Sequence, residues 1–365
     1  MARLGRRTID ERIGRLVAPG GTFSQYSVTY HRMMLDSISF AEVWRRRMEA
    51  PAFSARFTAR ATAAAQWLQA ITDSQSGDAP NTGANDGTRI LHLSDEPYRD
   101  FRGSVQLAMA LFTGQRTYAE PIPGDLALAW LGISLPEPIA PQPRQWVDRD
   151  GGFAVARRGD AMILFRFPRF RFRPGQADAL HLDFWYAGRN LLRDAGTFGY
   201  NSGDEALHAF AGVAGHNTVQ FDEHDQMPRL GRFLYGDWLA PGAFECAETG
   251  DDIRLRADYR DHWGCHHERT LDLSGEGTLI VTDKLEGFSN QAVLRWHLPP
   301  GTARLTDHLL IADGITLEIS ATGPVTLRLV QGWESRHYLD KQPVPVLEVV
   351  ADRPLEVKTL VNPTR

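Results

Sequence analysis

The sequence predicts a two-part molecule, helices first and then an antiparallel β domain. Three observations carry this. Up to about residue 135 apolar residues recur at helical spacing. A Pro-rich stretch, LPEPIAPQPRQ, then interrupts the pattern. Beyond it, short runs alternate apolar and polar residues between turn signals, spaced at roughly the 8–12 residues of a β-sandwich. The expected boundaries are 1–135 for the helical part, 136–146 for a linker and 147–365 for the β domain.

Composition bounds the class. The 365 residues are 42% hydrophobic and 23% charged, enough to bury a large core and to exclude disorder as the main state. The formal net charge of −5 argues against a basic nucleic-acid binder. Two cysteines allow at most one disulfide. No run of apolar residues is long enough to cross a membrane as a helix, and the basic start MARLGRRTIDERIGRLV lacks the apolar core of a signal peptide. All but three of the 40 basic residues are Arg, whose planar fork grips carboxylate or sulfate in two-point fashion, although genomic base composition accounts for the same bias.

The elements follow in order. Ile9, Ile13 and Leu16 form one stripe of an N-terminal amphipathic helix. Ser39 and Glu42 resemble a capping box opening a helix whose buried stripe is Phe40, Val43, Trp44 and Met48. A helix over 53–72 carries Phe57, Ala61, Ala64, Leu68 and Ile71. GSVQLAMALF (103–112) and GDLALAWLG (124–132) are nearly apolar all round, which predicts burial. The long loop TDSQSGDAPNTGANDGTRILHL between them has the length of a functional segment. In the β part, strands are expected in GFAVARRGDAMILFRF, ALHLDFWYAG, NLLRDAG, TLIVTDKL, AVLRWHL, ITLEIS and VTLRLV, with no helix among them. In ALHLDFWY, strict alternation places His181, Asp183 and Trp185 on one face, read as a sandwich's outer face.

Four segments could do chemistry. GGTFSQYSVTYHRMMLD brings Tyr26, Tyr30, His31 and Arg32 to a helix entry, where a cation such as Arg32 could lower a tyrosine pKa. PNTGANDGTR sets Asn81, Asn85 and Asp86 among glycines. Asp194 follows an apolar pair and needs a partner. His216 in GHNTV precedes a further acidic cluster, Asp222 to Asp225. Asp194 and His216 alone are too few ligands for zinc, and Cys265 and His266, adjacent on a strand, point to opposite faces.

In this order (the YH segment, PNTGANDG with YRDFR, an ADAL segment, DAGT and HNTV) the chain resembles the heparinase II/III-like polysaccharide lyases and related alginate lyases over about 20–112 and 150–300. The resemblance implies an incomplete (α/α) toroid followed by an antiparallel β-sandwich, and β-elimination on a uronate-containing acidic polysaccharide. It implies Tyr30 as catalytic acid or base, with His31, Arg32, Asn85, Asp86 and Arg102 as substrate-binding residues. It further implies Asp194 and His216 as zinc-binding positions, and a periplasmic or cell-envelope location. The sequence departs from the family where Pro174 and Gln176 occupy two usual His positions, so no tight zinc is expected, and His181 could stand in only by position in space. The upstream toroid helices are expected to lie outside this chain, making it a C-terminal piece. A non-catalytic polysaccharide-binding protein of exopolysaccharide assembly or export is the alternative. A glycoside hydrolase using Asp86 and Asp100 is a third reading.

Overall fold

The computed structural model describes residues 2–364. Five helices come first: α1 (Ala2–Leu16), α2 (Val28–Arg47), α3 (Ala55–Ile71), α4 (Arg102–Phe112) and α5 (Asp125–Trp130). Helix α3 opens as the sequence predicts, with the Ser54 hydroxyl accepting the Phe57 N–H at 3.1 Å.

Helix α2 departs from expectation. It begins well before Ser39, capped by Ser27, whose Oγ accepts the Tyr30 N–H at 3.0 Å. Ser39 lies buried inside the helix, and Glu42 pairs forward with Arg45 and Arg46 rather than back toward a cap. Its predicted stripe is mostly on the surface: Val43 is buried, but Phe40, Trp44 and Met48 are 40%, 48% and 65% exposed. The short helix α5 likewise leaves Leu126 and Trp130 exposed.

The Pro-rich segment does not hang free. The Arg116 carbonyl accepts the Ala140 N–H at 2.8 Å, and Ala140 is buried in the helical core. A five-stranded antiparallel sheet follows: β1 (Gln145–Asp148), β2 (Phe153–Arg158), β3 (Ala161–Arg166), β4 (Leu182–Tyr186) and β5 (Arg189–Leu192), in that order. It is a middle layer. Phe153, Val155, Met162, Leu164 and Trp185 face the helices in one core, with Trp67 and Val105. Ala154, Ile163, Phe165 and Phe184 face a second core shared with the remaining sheets. Strands covered on both faces explain the nearly continuous apolar runs.

The second core is closed by an eight-stranded antiparallel sheet (240–249, 252–260, 266–273, 279–286, 303–306, 309–312, 315–321 and 355–363) and a four-stranded one (219–221, 292–297, 326–337 and 340–351). Each predicted strand segment contains a strand. One helix, α6 (Asp204–Ala211), does interrupt the β part, against expectation. Both cysteines are free thiols.

Candidate functional site

The site forms where α2, the 77–101 loop and the turn after β5 meet. The Ser27 hydroxyl that caps α2 also donates to the Ala84 carbonyl at 2.5 Å, so the start of the helix and the Gly-rich loop are joined through one side chain. The loop is anchored to the β part as well. Asn81 Nδ2 donates to the Ser335 carbonyl at 2.8 Å, and Thr197 Oγ1 donates to the Gly83 carbonyl at 3.1 Å. Asp78 pairs with both Arg99 and Arg336. Gly83 and Gly196, at φ of +88° and +79°, lie where a Cβ would strike Ser27 and Asn81 respectively, so this closeness requires glycine.

In this frame Tyr30 is half-buried, and its hydroxyl lies 2.6 Å from that of Tyr200. The two rings come from opposite parts of the fold. Tyr200 is in turn packed against Tyr338 and Phe233. Burial, with help from the Asp86 carboxylate, pushes the Tyr30 hydroxyl up to about 12, while the Tyr200 hydrogen bond pulls it back. Tyr200 is pushed higher still, by burial and then by its bond to Tyr30. Ionisation of the pair therefore falls on Tyr30, with Tyr200 as proton donor.

Asn85 and Asp86 lie in the same loop. Asn85 is buried: its Oδ1 accepts from Tyr98 Oη at 2.7 Å and from the Gly87 N–H, whereas its Nδ2 has no partner among the described residues. Asp86 accepts the Thr88 N–H through Oδ1, and its charge reaches Tyr30 and Tyr200.

Three residues expected to bind substrate are engaged by the protein itself. His31 is fully buried, its Nε2 2.9 Å from the Ala64 carbonyl and its ring against Trp67. Arg32 is buried, donates to the Tyr98 carbonyl and stacks between the rings of Tyr98 and Phe101 at 4.6 and 4.5 Å. It does not lower the Tyr30 pKa, which is raised. Successive helical positions diverge by about 100° in direction, so with Tyr30 turned toward Tyr200 its two followers face the core. Arg102 grips the Asp100 carboxylate through Nε and Nη2. Tyr200 was not singled out from sequence, although it stands three residues after the DAGT motif and could have been reached by extending that motif.

A second cluster lies inside the β part. His216 Nδ1 is 3.2 Å from Asp194 Oδ2, so the DAGT and HNTV motifs do meet. The third member of this buried group is His181, whose Nε2 is 3.7 Å from both Asp194 and Asp183. Gln176 instead accepts the Gly83 N–H at 3.0 Å. Leu180, a buried leucine at φ of +59°, turns the chain just before β4, which breaks the simple alternation expected there. Asp183 is no outer-face residue either: it is buried and accepts from Trp185 and Asn190.

The cluster's fit to zinc can be tested from its hydrogen bonds. His181 Nδ1 accepts the Asn217 N–H at 3.0 Å, which turns Nε2 toward the two carboxylates. His181 Nε2, Asp194 Oδ2 and His216 Nδ1 are buried without a hydrogen-bond partner among the described residues and lie within 4.8 Å of one another. Two imidazoles and one carboxylate are the three protein ligands of an open zinc site, so the residues present fit the ion. Asp194 is held below the usual carboxylate range, against the upward push of its burial, by His216 and His181 and by the Gly196 N–H; His216 is raised, against burial, by Asp194.

The residues from 140 to 358, more than half of the chain, match the family model described as Heparinase II/III-like, C-terminal. The chain belongs to the heparinase II/III-like family. Solved structures share its fold. A heparinase III structure superposes with a TM-score of 0.75 at 14% identity, covering 99% of this chain and 57% of the other. The heparan sulfate lyase HepC from Pedobacter heparinus gives 0.73 at 16%, covering 99% and 56%. A chondroitin AC lyase from Streptomyces coelicolor A3, solved in complex with chondroitin sulphate, gives 0.57 at 11%, covering 95% and 54%. This heparinase II/III-like chain thus spans little more than half the length of these lyases. Among curated proteins no sequence match is found. No helix of the described residues is long and apolar enough to cross a membrane.

Proposed function

We propose that this chain carries part of the catalytic centre of a polysaccharide lyase that cleaves a uronate-containing polymer by β-elimination, with Tyr30 as the proton-handling group. The observation that carries the reading is the 2.6 Å contact between the Tyr30 and Tyr200 hydroxyls at the junction of the helical and β parts. In the reaction the C5–H and C4–O4 bonds break and a C4=C5 double bond forms; Tyr30 gives its proton to the departing O4 and its oxygen takes up the proton leaving C5, so the hydroxyl is restored at the end of the turnover. A hydroxyl pushed up to about 12 is protonated near neutral pH and suits delivery of that proton to O4. The tyrosinate so formed is stabilised by the hydrogen bond from Tyr200, which holds its own proton more tightly. Removing the C5 proton requires the neighbouring carboxylate to be neutralised, and the unpaired Asn85 amide is the donor this chain offers for it.

Tyr30→Phe deletes one oxygen and keeps the ring. The expected outcome is loss of the conjugated unsaturated uronate, read by its ultraviolet absorbance, with the thermal midpoint and polymer binding nearly unchanged. A variant that eliminates at the full rate removes Tyr30 from the mechanism.

One observation favours a second reading, a polysaccharide-binding protein without turnover. Pro174 and Gln176 stand where family lyases carry histidines, and Gln176 is engaged by the Gly83 backbone. Binding of a uronate polymer with no ultraviolet product, when the chain is joined to the helices that the longer lyases carry, would select it.

A further inference from the structure

The arginine bias of the sequence has a local focus that the Tyr30 cleft does not use. Between β3 and β4 runs the segment PRFRFRPG, in which Arg169, Arg171 and Arg173 are exposed and Phe170 and Phe172 are half-buried. The phenylalanines fasten the segment: Phe170 meets Tyr26 edge-on, and the Arg171 and Phe172 N–H groups both donate to Tyr26 Oη, at 2.9 and 3.1 Å. The guanidinium groups are left outside. Among the described residues no carboxylate pairs with Arg169, Arg171 or Arg173, although most arginines of this protein are paired or bonded to a carbonyl.

Beside the segment lies a groove of about 500 Å³ lined by Arg149, Arg169, Arg171, Phe170 and Trp238, with Asp150 as its one acidic residue. Three arginines face one aspartate there. Positive charge is crowded nearby too: Arg60 is pushed down by burial first and then by Arg56 and Arg171. The Trp238 ring is 43% exposed yet held in place, its Nε1 donating to the Tyr235 carbonyl at 2.9 Å and its ring edge-on to Phe170 at 6.3 Å.

We propose that this groove is a second saccharide-binding site, distinct from the Tyr30 cleft, that takes the uronate or sulfate groups of an acidic polysaccharide on Arg149, Arg169 and Arg171 and a sugar ring on the face of Trp238. The guanidinium forks of Arg169 and Arg171, and the remaining N–H groups of Arg149, whose Nη1 donates to the Phe244 carbonyl at 3.2 Å, match carboxylate and sulfate oxygens. A fixed, half-exposed indole offers the flat apolar face on which the C–H side of a pyranose stacks. The same segment continues to Gln176, whose Oε1 accepts the Gly83 N–H of the loop that carries Asn85. The choice of an acidic glycan rests on this pairing of charge with an aromatic platform and needs only binding, not turnover.

The test is titration of a heparan sulfate octasaccharide and a polyglucuronate octasaccharide against four chains: wild type, Arg169→Ser/Arg171→Ser, Trp238→Ala and Trp238→Phe. The exposed arginines are expected to leave the thermal midpoint unchanged. Their double variant should bind either glycan at least about tenfold more weakly and with a shallower salt dependence. Trp238→Ala should weaken binding, and Trp238→Phe, which keeps an aromatic face, should restore most of it. Single-stranded DNA of equal charge is the comparison polyanion. Glycan affinity unchanged in the arginine variant overturns the site. DNA binding as tight as glycan binding, with both indifferent to Trp238, overturns the saccharide assignment and leaves a patch of charge alone. Tyr30→Phe is expected to bind as wild type does; a Tyr30→Phe chain that still eliminates counts against the catalytic reading and not against this groove.

Discussion

His31 shows how neighbours in sequence separate in function. The Tyr30 hydroxyl reaches that of Tyr200, while the imidazole beside it is sealed between α2 and α3, with Nε2 donating to the Ala64 carbonyl. Burial lowers its pKa to about 4, partly offset by that bond. The sign follows directly. The unfolded chain binds a proton below about pH 6.5 that the fold excludes, so the contribution is whole above that pH and is lost as pH falls toward 4, to the extent of about 3 kcal/mol. Asp36, pushed up to about 7 by burial, works in the opposite direction, so the informative quantity is a difference between chains. His31→Gln keeps an N–H for Ala64 and removes the titration. Relative to wild type, its denaturant midpoint should rise as pH falls from neutral to about 4.5, because the opposing Asp36 effect is no longer offset. Equal changes in both chains would show that His31 does not carry the acid sensitivity.

At the scale of elements, periodicity gives the class of each segment and not its partner. In strand 252–260 Ile253, Leu255, Ala257 and Tyr259 are buried while Arg254 and Arg260 are exposed, so the inner face is legible from alternation. On α2 the same kind of reasoning chose the wrong stripe. Phe40, Trp44 and Met48 do lie along one ridge, but nothing among the described residues covers it. A ridge this exposed adds little to the fold. Phe40→Glu/Trp44→Glu should shift unfolding by less than about 1 kcal/mol. A loss of several kcal/mol would mean that the ridge is packed.

For the whole molecule, the decisive feature is how the helical and β parts are held. The 77–101 loop is clamped by Asn81 to the Ser335 carbonyl, by Asp78 to Arg336, and by Gly83 to both Gln176 and Thr197. Arg99 completes the clamp, bonding Asn81 Oδ1 at 3.1 Å as well as Asp78. Asn81→Ala leaves the Ser335 carbonyl and an Arg99 N–H unpaired in a buried setting, a cost of about 1–3 kcal/mol. Hydrogen exchange in residues 77–89 should rise in this variant even under conditions where the β strands stay protected. Unchanged protection there would show that the remaining contacts hold the loop without Asn81.

Local pattern was enough for some of this. The order of helices and strands, the strands of the middle sheet and the meeting of Asp194 with His216 were legible, because each depends on short-range periodicity or on a compact motif. Other features exist only once the chain is folded. Tyr200 lies 170 residues from Tyr30, and no spacing rule relates them. The side to which His31 and Arg32 turn is set by where α3 and the Tyr98 ring lie. That both faces of β4 are buried follows from the sheet being a middle layer, and His181 joins Asp194 after the αL turn at Leu180. A sequence records which residues share a face of their own element. What lies opposite that face, whether core, cleft or solvent, is decided by long-range packing, and the chemistry of every site residue here depends on it.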